Sequence, residues 1–600
     1  MSAPAAASPA TGPAAGSPAR SAAADTLALR VLSALLREDV LGLRTRATLE
    51  QRADGGWLVA AGHRIAVPVT ADGFQSEYAA RLPLVELDGR PTGGLDAVLT
   101  ALAGRADAED RPGWAAFAEE CRETLATMEL HDRVRDEVHT ALTDLYGADP
   151  AHWSGPAAAL GHDTLAAYLD HPVYPTARGR AGLDETRLRS HAPEFHPAFE
   201  LRWLALPAGT LTRHGERPRP RWWPTPGWLG LDLPGGDQAW ETLPVHPLTV
   251  GPALDEALRA TGLAGRAVLA ERPYLTVVPT LSMRTVAVAE DPLHHLKLPL
   301  ATATLGRLNR RTIKPGTLRD GAAGQRLVEA VLAREPRFAG RILHADEQTW
   351  AHAGHELLAV LLRRQPAGLE RSVTVPLAAL LAPAPGADGR LVVDHLADRF
   401  FGGDPVALYD ALLELLLDWQ TTLFGYGVAL ESHQQNTSLV LDEDGAPRLL
   451  YKDDDGPRVH SGRLAATLGD LAPAREDFDD ARVFADDDRP LTDLFTTITG
   501  HLCTGALAFG LAAHGRAELD ELLALSRKRL TEAVERTGPA AEPLRAALLD
   551  AERLPVKAMV TAGTLLSKRR SGAADINKHY TDGPNYLLPH TGSGATGSGR

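Results

Sequence analysis

Three stretches of the chain gather residue types that handle anions. The first runs through Thr280, Ser282, Arg284 and Lys297 (TLSMRTVAVAEDPLHHLK). Read as a strand, Ser282 and Arg284 lie two residues apart and share a face, because side chains alternate along a strand. After the Glu290–Asp291–Pro292 turn, Lys297 opens the return strand. A hydroxyl, a guanidinium and an ammonium brought together by a hairpin suit a phosphate chain: arginine by paired hydrogen bonds, lysine as a point charge. Thr304, Arg307, Arg310 and Arg311 follow and extend the positive surface. An amphipathic sheet with a solvated basic face is the competing reading.

The second stretch is Glu431-Ser-His433-Gln-Gln435-Asn436, then an apolar strand (TSLVL), a DEDG turn, and Lys452-Asp453-Asp454-Asp455. An Asn before a hairpin and an Asp just after it can converge on one Mg²⁺, with hard oxygen ligands and room for phosphates. Protein kinases order their catalytic-loop Asn and metal-binding Asp comparably. His433 could orient a phosphate, donate to developing charge or cap the loop, and the acidic run reads alternatively as a solvated turn. The third stretch carries His171, Tyr174, Arg178 and Arg180 (HPVYPTARGRAG), then His191, Glu194 and His196. Its prolines and Gly182 impose an irregular loop whose two arginines and histidine could grip a polycarboxylate. A purely structural loop fits the same composition.

These stretches need elements to hold them. Thr26–Leu36 has apolar residues at helical spacing, residues 45–70 alternate around ADGG as a hairpin, and helices dominate from about Gly94 to Leu169. From about Phe199 the period changes to strands broken by proline, an antiparallel β-rich segment. Residues 404–426 read as a long apolar-periodic helix, followed by strand, loop and strand, and then mostly helix from about Arg489 to Ser567. The first 25 residues and Thr591–Arg600 are Ala/Pro/Ser/Gly tracts that cannot bury apolar surface.

Composition narrows the function. The chain has 600 residues with 62 Lys+Arg against 77 Asp+Glu, a net charge of −15, which argues against nucleic acid or an acidic membrane as the main partner. Cys121 and Cys503 are the only cysteines, so there is no disulfide framework and no cysteine-rich metal site. No apolar run reaches the ~18–20 residues of a membrane span, and the N-terminal stretch lacks the regions of a secretory signal; a cytoplasmic protein is expected. Phosphate-loop, dinucleotide, nucleophile-elbow and zincin motifs are absent. Only seven basic residues are lysine: Lys297, Lys314, Lys452, Lys528, Lys557, Lys568 and Lys578. In an arginine-rich chain, each remaining lysine is a candidate for a place where a compact ammonium matters.

Taken together, the three stretches resemble the aerobactin-synthetase (IucA/IucC) family, siderophore synthetases that work without nonribosomal peptide synthetases. HPVYPTARGRAGL with APEFHPAFELRWLALP is similar to the pattern G-H-P-x-H-P-x-x-K-x-R-x-G followed by P-E-F. TLSMRTV…HLKLPL is similar to S-x-R-T…K-L, and ESHQQN…YKDDDG to E-x-H-x-Q-N…R-D-x-x-G. The resemblance runs from about His162 to about Pro589. It implies an α+β, cupped-hand fold of thumb, fingers and palm, here residues 26–190, 191–402 and 403–590. It also implies ATP and Mg²⁺, activation of a carboxylic acid such as citrate as an acyl-adenylate, and attack by an amine or alcohol.

By matched position, Ser282, Arg284 and Lys297 would hold ATP phosphates, with His433, Arg284 and Lys297 catalytic. Gln435, Asn436 and Asp453 would serve the nucleotide, the last two also the metal. His171, Arg178, Arg180, Arg311 and Glu431 would face the acid or its partner. The chain departs from the pattern at Tyr174 (His), Arg178 (Lys) and Lys452 (Arg). Leu305 and Asn309 stand where Thr and Arg are usual, so Thr304 and Arg310 or Arg311 would replace them by a one-residue shift. The acid, the amine or alcohol and the oligomeric state stay open, a homodimer included. So do a phosphotransferase and a non-catalytic nucleotide- or siderophore-binding scaffold.

Overall fold

Apolar residues at helical spacing bury one face of Ala22–Arg37 (α1), whose first turn is capped by the Ser21 hydroxyl accepting from the Ala24 N–H. The helix therefore starts four residues before the periodic run at Thr26. The structure is a computed structural model and describes residues 21–215, 219–386, 389–443, 446–454, 456–572 and 579–589. Residues 1–20 and 591–600 of the expected tails, and Asp455, lie outside these. The ADGG hairpin forms as expected, Thr48–Arg52 pairing antiparallel with Gly55–Ala60 in a six-stranded sheet. Two helices follow that matter for the site, Arg111–Tyr146 (α2) and Pro156–Ala167 (α3), each with a proline in its first turn, where the missing N–H costs nothing.

The β-rich segment folds into a nine-stranded sheet whose pairings are all antiparallel. Its centre is Phe199–Pro207, then Tyr274–Pro279 (β1), Thr285–Val288 (β2) and Asp291–Lys297 (β3). Beyond β3 lie Ala359–Arg364 (β5) and Asp346–His352 (β4), in that spatial order. Ser282 and Arg284 are not on a strand. They occupy the tight turn between β1 and β2, which closes through the Thr280 N–H donating to the Thr285 carbonyl and carries Met283 at φ +62°. The local twist overrides the alternation that the residue types suggest. Lys297 ends β3 rather than opening it and lies opposite Thr285, so the hairpin still brings Arg284 and Lys297 to one end.

The apolar helix is Pro405–Gly425 (α4), capped by the Asp404 carboxylate. Behind it, Thr437–Leu441 (β6) and Arg448–Tyr451 (β7) form the expected hairpin. Val373–Pro376 joins β6 antiparallel and Ile342–His344 joins β7 parallel, making a four-stranded sheet. Near the C-terminus, Arg553–Lys557 (β8) pairs with Tyr580–Pro584. One continuous core runs from α1 and the six-stranded sheet through α4, β6 and β7 to Leu587, while the nine-stranded sheet has a core of its own around Trp203. The chain is thus a mixed helix-and-sheet protein, as expected. Residues Arg489–Ala513 form a helix long and apolar enough to cross a membrane by length and composition, contrary to the expectation from apolar runs. Some 83% of its apolar window is buried inside the fold, so it serves as a core helix.

Candidate functional site

The ends of the two hairpins meet. At the end of β6/β7 the Lys452 N–H donates to the Asn436 carbonyl, so Asn436, Lys452 and Asp453 emerge together. The Lys297 ammonium, from the end of β3, donates to Asp453 Oδ2 at 2.6 Å. Arg363, on β5, reaches the same oxygen at 3.5 Å and pairs with Glu347 on β4 at 2.6 Å. Lys452 faces Asp163 of α3 at 3.9 Å. Arg284 is anchored by donating to the Thr312 carbonyl at 2.7 Å and acts electrostatically on Asp453. Burial works against the charge of Asp453, but Lys297 and Arg363 outweigh it and hold its carboxyl far below the usual range. The pair is buried, with side-chain exposures of 7% for Lys297 and 14% for Asp453. Such a bridge persists because its geometry and extra hydrogen bonds offset desolvation.

A cavity opens beside this cluster between α3, the β1–β2 turn, β5 and the four-stranded sheet. Leu160, Leu281, Leu369 and Leu450 make one side apolar; Ser282, Arg363, Gln435, Asn436 and Lys452 line the rest. Apolar walls with a few convergent polar groups are the usual make-up of a small-molecule site.

On the other side stands His433. Its Nδ1 accepts the Gln435 N–H at 3.3 Å, which leaves the proton on Nε2. Burial pushes its pKa down to about 4 against the pull of Asp453, with Lys557 and Arg311 contributing. His171 is held likewise, Nδ1 accepting the N–H groups of Val173 and Tyr174. Burial, then the nearness of His433, Arg30, Arg37 and Lys557, takes its pKa down to about 3. Arg311 completes this wall. Burial and the neighbouring Arg284 and Arg180 push its guanidinium down to about 9, and among the described residues its side chain forms no ion pair.

The structure therefore brings together Ser282, Arg284, Lys297, Arg311, His171, His433, Gln435, Asn436 and Asp453. Others are placed differently. Arg310 pairs with Glu356 at 3.0 Å and its side chain is 61% exposed, since it is bonded across a small loop to Ala303 and points away from Arg311. Thr304 belongs to that loop, its carbonyl accepting from Asn309 Nδ2. Arg178 is engaged by Asp170 at 2.8 Å. Arg180 is held by Glu194 at 2.8 Å, behind Arg311. Glu431 faces Lys557 at 3.7 Å. Tyr174, at the pattern's histidine position, is fully buried and donates to Glu120.

Among the described residues no three His, Cys, Asp or Glu side chains cluster as a metal site. Asn436 and Asp453 offer one amide and one carboxylate, and the carboxylate already answers two cations. A Mg²⁺ bound there would take most ligands from phosphate oxygens and water, which is how Mg²⁺ is commonly held.

Arg363, Glu347, Asp163 and Lys557 belong to the site although no motif marked them. Arg363 carried a signal, an arginine in an apolar strand (LLAVLLRR). The scarcity of lysine was another: Lys297, Lys452 and Lys557 are enclosed around His433, whereas Lys314, Lys528 and Lys568 lie on the surface.

The fold and this cleft define a protein that encloses a cationic, partly apolar site between two sheets. Residues 164–382 match the model of the IucA / IucC family, and residues 408–572 match that of the ferric iron reductase FhuF-like transporter. Staphyloferrin B synthase of Staphylococcus aureus is 22% identical over 71% of this chain and 76% of its own length. A 50-residue stretch is 42% identical to the L-2,3-diaminopropanoate–citrate ligase of the same organism, covering 8% of this chain and 9% of that one. The ATP-bound aerobactin synthetase IucA from Klebsiella pneumoniae superposes with a TM-score of 0.69 at 19% identity, over 94% of this chain and 99% of that one. Through residues 164–382 the chain belongs to the IucA / IucC family.

Proposed function

We propose that this chain is a siderophore synthetase that activates a carboxylic acid, citrate or a related di- or tricarboxylate, with ATP and condenses it with an amine or alcohol. The observation that carries the reading is the buried Lys297–Asp453–Arg363 cluster beside an apolar cavity, flanked by His433, His171 and Arg311. The family membership and the names of the relatives support it. The nine-stranded sheet would be the fingers, the four-stranded sheet and C-terminal helices the palm, and the N-terminal unit the thumb. A cytoplasmic location fits the substrates; a homodimer stays open.

The acid's carboxylate attacks the α-phosphorus of ATP and pyrophosphate leaves; the amine or alcohol then attacks the acyl carbon and AMP leaves. The apolar side of the cavity suits adenine, and Ser282, Arg284, Lys297 and Arg363 the phosphates. Asp453 would keep the cations apart and aligned until phosphate oxygens arrive. Preorganised donors of this kind stabilise charge as it develops, without reorganising at the moment of reaction. His433 is neutral with its proton on Nε2, so it would act as a hydrogen-bond donor rather than a base. His171 and Arg311 would hold the acid, and one cleft for both partners supplies the orientation of the second step. When bound with ATP at Asn436 and Asp453, Mg²⁺ would supply further charge neutralisation.

The test is a panel of di- and tricarboxylic acids with ATP, Mg²⁺ and hydroxylamine as trapping nucleophile. Acid-dependent release of pyrophosphate and AMP, with hydroxamate formed, is expected. ADP and phosphate instead would mean a phosphotransferase, and ATP binding without turnover a scaffold.

A further inference from the structure

Glu120, in the middle of α2, is 6% exposed, and nothing above gives it a role. Its carboxylate accepts from three hydroxyls: Tyr174 Oη at 2.9 Å and Thr176 Oγ1 on one oxygen, and Thr564 Oγ1 at 2.9 Å on the other. Those hydroxyls come from two segments far apart in sequence. Tyr174 and Thr176 lie in the loop that begins at His171. Thr564 lies in the helical turn Thr561–Leu565, which follows β8 and its Lys557. The same Thr564 Oγ1 accepts the N–H of Arg307 at 3.2 Å, and the Gly563 carbonyl accepts that of Leu308 at 3.0 Å. This docks a third segment, the loop that ends at Arg311.

We infer that Glu120 is a positioning residue: through one buried carboxylate it sets the relative places of the segments bearing His171, Lys557 and Arg311, the wall assigned above to the acid. The geometry favours a carboxyl here. Three hydroxyl donors converge on two oxygens, and a carboxylate is the side-chain group that accepts from all of them without donating. Removing it would leave three buried hydroxyls to find new partners, and each unsatisfied group is costly. The backbone cannot close the gap elsewhere, because α2 already lies against the turn: a Cβ on Gly113 would stand 2.0 Å from the Leu565 carbonyl oxygen. The nucleotide side is built from other parts, α3, β1 to β5 and the β6/β7 hairpin, none of which touches Glu120. The inference also accounts for Tyr174 at the pattern's histidine position, since its hydroxyl completes the set.

This assignment rests on the acid-activation reading, so its test has one arm independent of turnover. Hydrogen exchange should rise in residues 171–176 and 561–566 of Glu120→Ala, with β6 unchanged. In pyrophosphate release with citrate, Glu120→Ala should raise the KM for citrate by about ten- to a hundredfold and leave the KM for ATP within about twofold. Glu120→Gln keeps an oxygen for Tyr174 and Thr176 and an amide that can donate to Thr564, so it should restore both readouts close to wild type. Parallel rises in the two KM values, unchanged exchange in Glu120→Ala, or a Gln variant as impaired as the Ala variant would each overturn the inference. Wild-type protein inert toward citrate would count against the functional reading alone, and the exchange comparison would still decide the positioning role.

Discussion

Arg310 and Arg311 are neighbours of the same type, and the fold sends them in opposite directions. Arg311 faces Arg284 and Arg180 with no ion pair among the described residues, while Arg310 answers Glu356 at the surface. A cation surrounded by cations is poised to gain most from an incoming anion. Arg311→Ala is therefore expected to lower kcat/KM for the acid by ~10²–10³, the scale of one preorganised donor, and Arg310→Ala to change it by no more than about twofold, as for a surface pair. Steady-state pyrophosphate release on the two variants checks this. Sequence alone left that choice open, because a one-residue shift in an irregular loop carries no periodic signal. Residue types did mark Lys297, Asp453, His433 and His171. Glu347, Asp163 and Glu120 were illegible, since a lone carboxylate in a helix or strand looks like any solvated charge until its distant partner is known.

At the scale of elements, long periodic segments were readable: α1, α4, the ADGG hairpin and the β6/β7 hairpin all follow from spacing and turn residues. What escaped was irregular structure held by tertiary contact, such as the Ser282–Arg284 turn and the loop that seats Arg311. That loop approaches the Thr561–Leu565 turn backbone to backbone at Gly306, which has φ +113° and would place a Cβ 2.9 Å from the Gly563 carbonyl oxygen. Gly306→Ala combines a disfavoured backbone conformation with a contact that cannot relax through a flexible side chain. It should destabilise the protein by roughly 1–3 kcal/mol and raise the KM for the acid more than that for ATP. A thermal melt read alongside the two KM values tests both parts, and a wild-type melt would refute the close approach.

Over the whole molecule, burial of neutral histidines sets the response to acid. His162, His196, His433 and His501 are pushed down to about 4, and His171 and His295 to about 3, in each case chiefly by burial. A depressed folded value means that the unfolded chain binds more protons between the two values, so stability rises with pH there. These six groups contribute fully above about pH 6.5, the unfolded histidine value. Their contribution is lost as the pH falls toward 4. Asp72, raised to about 6 by burial, works the other way over part of the same window, one group against six. The melting temperature should hold near neutrality and fall steeply from pH 6.5 to 4.5, with several protons taken up on unfolding near pH 5. Calorimetry in buffers of differing ionisation heat measures that uptake, and a flat profile would refute it.

The shared core that joins α1 to the last helices also imposes an order on the protein's birth. Glu38, just past α1, accepts from the N–H groups of Val560 and Thr561, partners 522 and 523 positions away. At ribosomal speeds of about 5–20 residues per second, those partners are made on the order of a minute after Glu38. During that interval the leucines of α1 have no finished core, and a buried carboxylate has no donors. The first helix to leave the ribosome is among the last to be sealed, so shielding by a holding chaperone matters most for the end of the chain that is made first.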